Sequence, residues 1–215
     1  MKFGIAVCGA FIAGAALALV VAAPWQDAKA KDKPSGQPGG PPAGMTQDEM
    51  AAMMKAGTPG PEQKAMEAMV GKWSVASEWM MAPGAPAEKS SGTSEFKMIM
   101  GGRYLVEETS STSSMGPFHG MGISAFNNAT GKYEHVWLDD MSTGMMFATG
   151  DSKGDTLEYK GDFFDPAKKA MCSTRFLVHK TSDNERDMEM YCSYSGQPEF
   201  KCMTMKYTKA AAGAR

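Results

Sequence analysis

From residue 72 onward the chain is written in short runs in which apolar and polar residues alternate. The runs are rich in aromatic and β-branched residues and cover roughly 72–81, 90–100, 103–113, 118–127, 132–140, 144–151, 154–161, 169–180, 186–194 and 199–208. A period of two is the mark of a strand with one buried face. Turn formers separate the runs, among them Pro83-Gly84-Ala85-Pro86, Gly101-Gly102, Asp162–Pro166 and Gly196-Gln197-Pro198. These links are short and none carries a helical pattern, so successive strands pair antiparallel. About ten strands with two edges to hide predict closure: an all-β fold, an up-and-down antiparallel barrel. A two-sheet sandwich is the alternative.

Before residue 71 the periodicity changes. Met45–Ala56 reads as a short helix, with Thr46 as N-cap, Glu49 three residues on, and Met50, Met53 and Met54 on one face. Gly57-Thr58-Pro59-Gly60-Pro61 breaks it. Glu62–Val70 reads as a second helix with Ala65, Met66, Met69 and Val70 as its apolar stripe. Residues 45–70 are thus expected as a helical segment ahead of a barrel domain at 71–209. Residues 31–44 are Lys, Pro and Gly without apolar periodicity, the composition of a disordered linker, and 210–215 reads as a disordered tail.

The first residues carry Lys2, an apolar run from Phe3 to Val21, and a small-x-small site at Ala28-Lys29-Ala30. That order is the signature of a secretory signal peptide cleaved after Ala30, so residues 1–30 are expected to be removed and the protein to be periplasmic or secreted. An uncleaved signal anchor is the alternative, because about 19 apolar residues just span a bilayer. Cleavage removes Lys2, Asp27 and Lys29 and takes the formal charge from −2 to −3. Such a charge, without a basic stripe, excludes a nucleic-acid partner. Three cysteines remain, Cys172, Cys192 and Cys202. Export favours a disulfide and leaves one thiol over. The loop Gly196-Gln197-Pro198 sets Cys192 opposite Cys202; Cys172 with Cys192 across the preceding hairpin is the competing pair.

Gly71-Lys72-Trp73 follows a helix and opens the first strand, which resembles the Gly-x-Trp opening of calycins: lipocalins, fatty-acid-binding proteins and nitrobindins. The last strand, Cys202–Lys209, resembles the basic–aromatic final strand of fatty-acid-binding proteins. The resemblance implies a cation lying over Trp73 to close one barrel end, and Lys206 is the candidate. A closer resemblance runs over about residues 45–209. Gly57-Thr58-Pro59-Gly60, Met69-Val70-Gly71-Lys72-Trp73, Gly92-Thr93-Ser94-Glu95-Phe96, Gly101-Gly102-Arg103-Tyr104-Leu105 and Trp137-Leu138-Asp139-Asp140-Met141-Ser142-Thr143-Gly144 resemble, in order and spacing, the bacterial family catalogued as domain of unknown function 1579. That family implies no catalytic residues.

The strand Tyr133–Asp140 places Tyr133, His135, Trp137 and Asp139 on one face and Glu134, Val136, Leu138 and Asp140 on the other. If the first face points inward, it is the wall of a ligand pocket with convergent polar groups; if outward, an amphipathic surface. Arg103, after Gly101-Gly102, is a candidate partner for a ligand carboxylate if it points inside, and a solvated charge or a partner of Glu107 or Glu108 if it does not. The ligand-binding candidates are therefore Arg103, His135, Trp137 and Asp139. His119, His135 and His179 show no His-x-His or His-Glu-x-x-His spacing, and no Gly-x-Ser-x-Gly elbow occurs, so neither a metal site, a cofactor nor a catalytic residue is expected.

Methionine fills 21 of 215 positions. Met45, Met50, Met53 and Met54 have the clustered spacing of soft Cu(I) ligands, whereas dispersed methionines serve as adaptable core filler. The sequence thus points first to a non-enzymatic module binding a small apolar or amphipathic ligand. An envelope structural or stress protein with a filled barrel stands second, and copper binding third.

Overall fold

Two short helices precede ten strands in the computed structural model, which describes residues 42–210. The expected signal peptide, most of the linker and the tail beyond Ala210 lie outside the described residues. Helix α1 (Gln47–Gly57) starts at the Thr46 capping box: the Glu49 amide donates to Thr46 Oγ1 at 3.2 Å and the Thr46 amide to Glu49 Oε2 at 2.7 Å. Helix α2 (Pro61–Met66) begins at a proline, where the missing N–H costs nothing, and passes into a single 3-10 turn, Glu67–Met69. The second helix is thus shorter than its apolar stripe suggested. Of that stripe Met66 is buried, while Val70 has left the helix and is 39% exposed.

The strands are β1 (Gly71–Trp79), β2 (Glu88–Ile99), β3 (Tyr104–Ser113), β4 (Gly116–Asn127), β5 (Lys132–Asp139), β6 (Met146–Lys153), β7 (Thr156–Asp165), β8 (Ala170–Lys180), β9 (Glu185–Tyr194) and β10 (Phe200–Lys209). Each pairs antiparallel with the next, and β1 pairs with β10, so the sheet closes into a barrel and leaves no edge. The sandwich is thereby excluded. Strand β7 runs past the turn expected at Asp162–Pro166. Pairing with β8 continues to Asp165 opposite Ala170, and the Asp165 carboxylate then makes the turn by accepting the amides of Ala167 and Lys168 at 2.8 and 3.1 Å.

Alternation decides what each strand buries. In β1, Trp73 and Val75 are buried while Lys72, Ser74 and Ala76 are exposed. At the end of the barrel where β1 begins, Trp73 is fully buried among Met66, Val75, Phe96, Leu105 and Tyr207. Its indole N–H donates to the Met69 carbonyl at 2.7 Å, tying the 3-10 turn to the barrel, and Phe96 meets the ring edge-on. Gln63 of α2 is buried too, its amide donating to the Phe126 carbonyl at 2.8 Å. A second cluster holds Cys172, Cys192 and Cys202 with Phe163, Met190, Tyr194 and Phe200, toward the opposite end of β7–β10.

One expectation about this frame changes, and the disulfide holds with a different register. The cations over the Trp73 ring are Lys209, 5.3 Å from its centroid, and Arg186, 5.6 Å away, not Lys206. Lys209 lies opposite Trp73 in the register, on the inward face of β10 with Tyr207. Lys206 has the other parity, is exposed and sits 3.5 Å from Glu185. Cys192 and Cys202 form the disulfide, with Cα atoms 5.8 Å apart, and Cys172 is the free, buried thiol. The two are not directly opposite, however: Cys192 faces Phe200, and the register shifts between Lys201 and Met203, around Cys202. A bulge at Cys202 brings its sulfur to its partner.

Candidate functional site

The residues with chemistry to offer line the inside of the barrel. On β5, Tyr133, His135, Trp137 and Asp139 point inward, since they pair with Phe126, Ser124, Gly122 and Gly120 on β4, and His135 also pairs with buried Ala148 on β6. Of the two orientations open to that strand, the inward one is observed. Val136 and Leu138 face outward, where Val136 stands between Ile123 and Phe147.

Trp137 fits because β4 offers it bare backbone. A β-carbon on Gly120 would lie 2.4 Å from indole Cζ2, and one on Gly122 would lie 3.3 Å from Cε3. The indole therefore lies across both glycines, stacked on Phe118 with centroids 6.5 Å apart. Its N–H donates to Asp139 Oδ2 at 2.9 Å, while Asp139 Oδ1 accepts the Met141 amide at 3.0 Å. Asp139 thus orients Trp137 and shapes the turn that follows. Asp140 is turned outward and accepts the His119 amide at 3.1 Å.

His135 Nδ1 lies 3.0 Å from Ser124 Oγ, and its ring is 5.5 Å from that of Tyr159 on β7. Burial holds the imidazole pKa down at about 4, so the ring is neutral at neutral pH. Burial likewise raises the Tyr159 phenol.

A second group of polar residues lies on the next strands around. Glu107 of β3 is buried at 9% exposure. Its Oε1 accepts from Ser94 Oγ at 2.8 Å, Thr109 Oγ1 at 3.0 Å and Tyr207 OH at 3.2 Å. Ser94 Oγ and Thr109 Oγ1 also touch each other, but each has one proton, which the bond to Oε1 uses. Burial is the largest influence on the carboxyl and raises its pKa, against the three hydroxyls that lower it. Across β4 the register runs Glu107, Gly122, Trp137, so only a glycine separates the carboxyl-bearing position from the indole-bearing one. The sequence reading named Glu107 only as a partner for Arg103. A signal was there: in the pair Glu107-Glu108 one carboxyl must face inward whatever the register.

Arg103 does not join this group. It stands in the β2–β3 turn, exposed, and its guanidinium donates to the carbonyls of Gly57 and Met100, each at 3.0 Å. Its work is to hold the end of α1 against the barrel, and the carboxylate-binding role falls away because the side chain lies outside the lumen. The methionines of α1 are likewise outside it. That helix buries no residue, and Met53 and Met54 are 63% and 61% exposed.

Comparison with known proteins fits this architecture. The family described as a protein of unknown function (DUF1579) matches residues 58–209. No curated protein matches the sequence. Among solved structures, Rv2717c from M. tuberculosis aligns with a TM-score of 0.51 and 15% identity, over 71% of this chain and 99% of that one. The S-type phycobiliprotein lyase CPES from Guillardia theta aligns with a TM-score of 0.51 and 9% identity, over 74% of this chain and 97% of that one. At such identities the likeness is one of fold.

Proposed function

The chain belongs to the DUF1579 family, whose description assigns no activity, and from that premise we propose that it is a non-enzymatic binding module, exported from the cytoplasm, that holds a small amphipathic molecule in the barrel lumen. One observation carries the reading. Trp79, Phe118, Trp137, Met190 and Met203 face the inside of a closed barrel, yet each keeps partial solvent exposure. Trp73, under the helical segment at the other end, is by contrast fully buried. Inward positions are moreover kept small at Ser77, Ser90, Ser94, Gly120, Gly122 and Ala148. Aromatic and thioether walls with a few placed polar groups are the make-up of a small-molecule site. The Cys192–Cys202 disulfide supports an oxidising compartment, and with it export.

The test is native mass spectrometry of the protein purified from its own cell envelope without refolding. The expected result is a bound small molecule that is lost on denaturation. A clean apo mass, together with no thermal shift from a panel of amphiphiles, overturns the reading in favour of a barrel that serves as structure alone.

A further inference from the structure

We propose that the lumen selects an amphiphile with a cationic head, an ammonium group on an apolar body, and that Glu107 holds that head. The inference rests on the reading that the lumen binds a ligand and adds the ligand's class. Glu107 is nine-tenths buried and its two oxygens are used unequally. Oε1 accepts all three neighbouring hydroxyls, and Oε2 accepts none among the described residues. Among the described residues no side-chain polar atom sealed from solvent lacks a partner, so Oε2 is not sealed from solvent. The three hydroxyls fix the carboxyl plane and leave the free oxygen as the acceptor.

No cation among the described residues answers it. Arg186 is turned to the closed end, where it bonds the carbonyls of Ser182 and Glu185 and covers Trp73. Lys209 bonds the Ala68 carbonyl at the same end. Lys168 lies 4.0 Å from the Tyr194 ring, in the second cluster's neighbourhood. The other inward acid near Trp137, Asp139, adds negative potential of the same sign. A buried carboxyl without a counter-ion is costly, and a ligand that brings the cation removes that cost. The indole of Trp137, one glycine away in the register, offers a π face to the same charge. A fatty acid would instead set its carboxylate against Glu107 and Asp139.

Isothermal titration calorimetry with three probes of equal chain length decides the matter: dodecylamine, dodecanol and dodecanoate. Dodecylamine is expected to bind roughly ten- to a hundredfold tighter than the other two, and Glu107→Gln, which keeps the shape and the acceptor oxygen, is expected to abolish that preference. Wild-type affinity for the amine should rise with pH as Glu107 ionises, which a merely structural role would not produce. Dodecanol or dodecanoate binding as tightly as the amine overturns the cationic-head proposal and leaves the binding module standing. Failure of all three to bind overturns both. The wild-type comparison stands whether or not the variant folds.

Discussion

Trp137 rests on the bare backbone of Gly120, and a β-carbon at position 120 would stand 2.4 Å from the indole. The ring cannot simply swing away, because its N–H is held by Asp139 at 2.9 Å. Gly120→Ala is therefore expected to displace Trp137 and to cost about 1–3 kcal/mol. Denaturant unfolding and the tryptophan emission maximum report the two effects. An unchanged spectrum and stability would show that the indole does not need the glycine.

Trp73 closes the other end. It is fully buried and makes a 2.7 Å bond to the Met69 carbonyl. Trp73→Ala should cost about 3–5 kcal/mol. A melting temperature within a degree or two of wild type would remove Trp73 from the core.

The cations near that ring separate by parity. Lys209→Ala is expected to lower stability by about 0.5–1 kcal/mol, and Lys206→Ala to leave it unchanged within about 0.5 kcal/mol. Equal effects in paired chemical-denaturation curves would count against the assignment of Lys209.

His135 makes stability depend on pH. Its folded pKa of about 4 lies below the ordinary 6.5, so on acidification the unfolded chain takes up the proton first. The stabilisation is whole above pH 6.5, drains away as pH falls toward about 4, and changes no further below that. The loss is on the order of 3 kcal/mol. Glu107 acts with the opposite sign: its folded pKa is raised, so its contribution is lost as pH rises through that value. Subtracting the pH–stability curve of His135→Gln from that of wild type isolates the histidine. A difference curve flat between pH 4 and 6.5 would sink the assignment.

The Cys192–Cys202 bond closes a loop with a sequence separation of 10. On loop length alone, reduction is expected to cost roughly 2–3 kcal/mol. Denaturant titration with and without reductant measures it, and thiol mapping of the oxidised protein should find Cys172 free.

Much of this fold could be read from residue order because strand and turn signals are local. Period-two alternation marked all ten strands, and Thr46 with Glu49 marked the start of α1. Local pattern cannot give the sense of a face. On β5 the apolar pair Val136 and Leu138 looked as suited to a core as His135 and Trp137 did. The glycines at 120 and 122 resolve the choice, and they act from another strand. Arg103 was misplaced for a related reason: whether a turn residue enters a barrel depends on what packs beside the turn, here the Gly57 carbonyl 46 positions earlier.

The sequence by itself determined the number of strands, their antiparallel succession, the helix ahead of them and the pairing chemistry open to the cysteines. Each follows from side-chain periodicity, turn residues and short connections, which act within a few positions. Only the tertiary structure decided that Lys209 rather than Lys206 faces Trp73, and that Glu107 draws hydroxyls from Ser94, Thr109 and, 100 positions away, Tyr207. Closure fixes these together. Once the sheet becomes a cylinder, the register of every strand sets which side chains share its interior, and a site made of many single residues comes into being that no one segment contains.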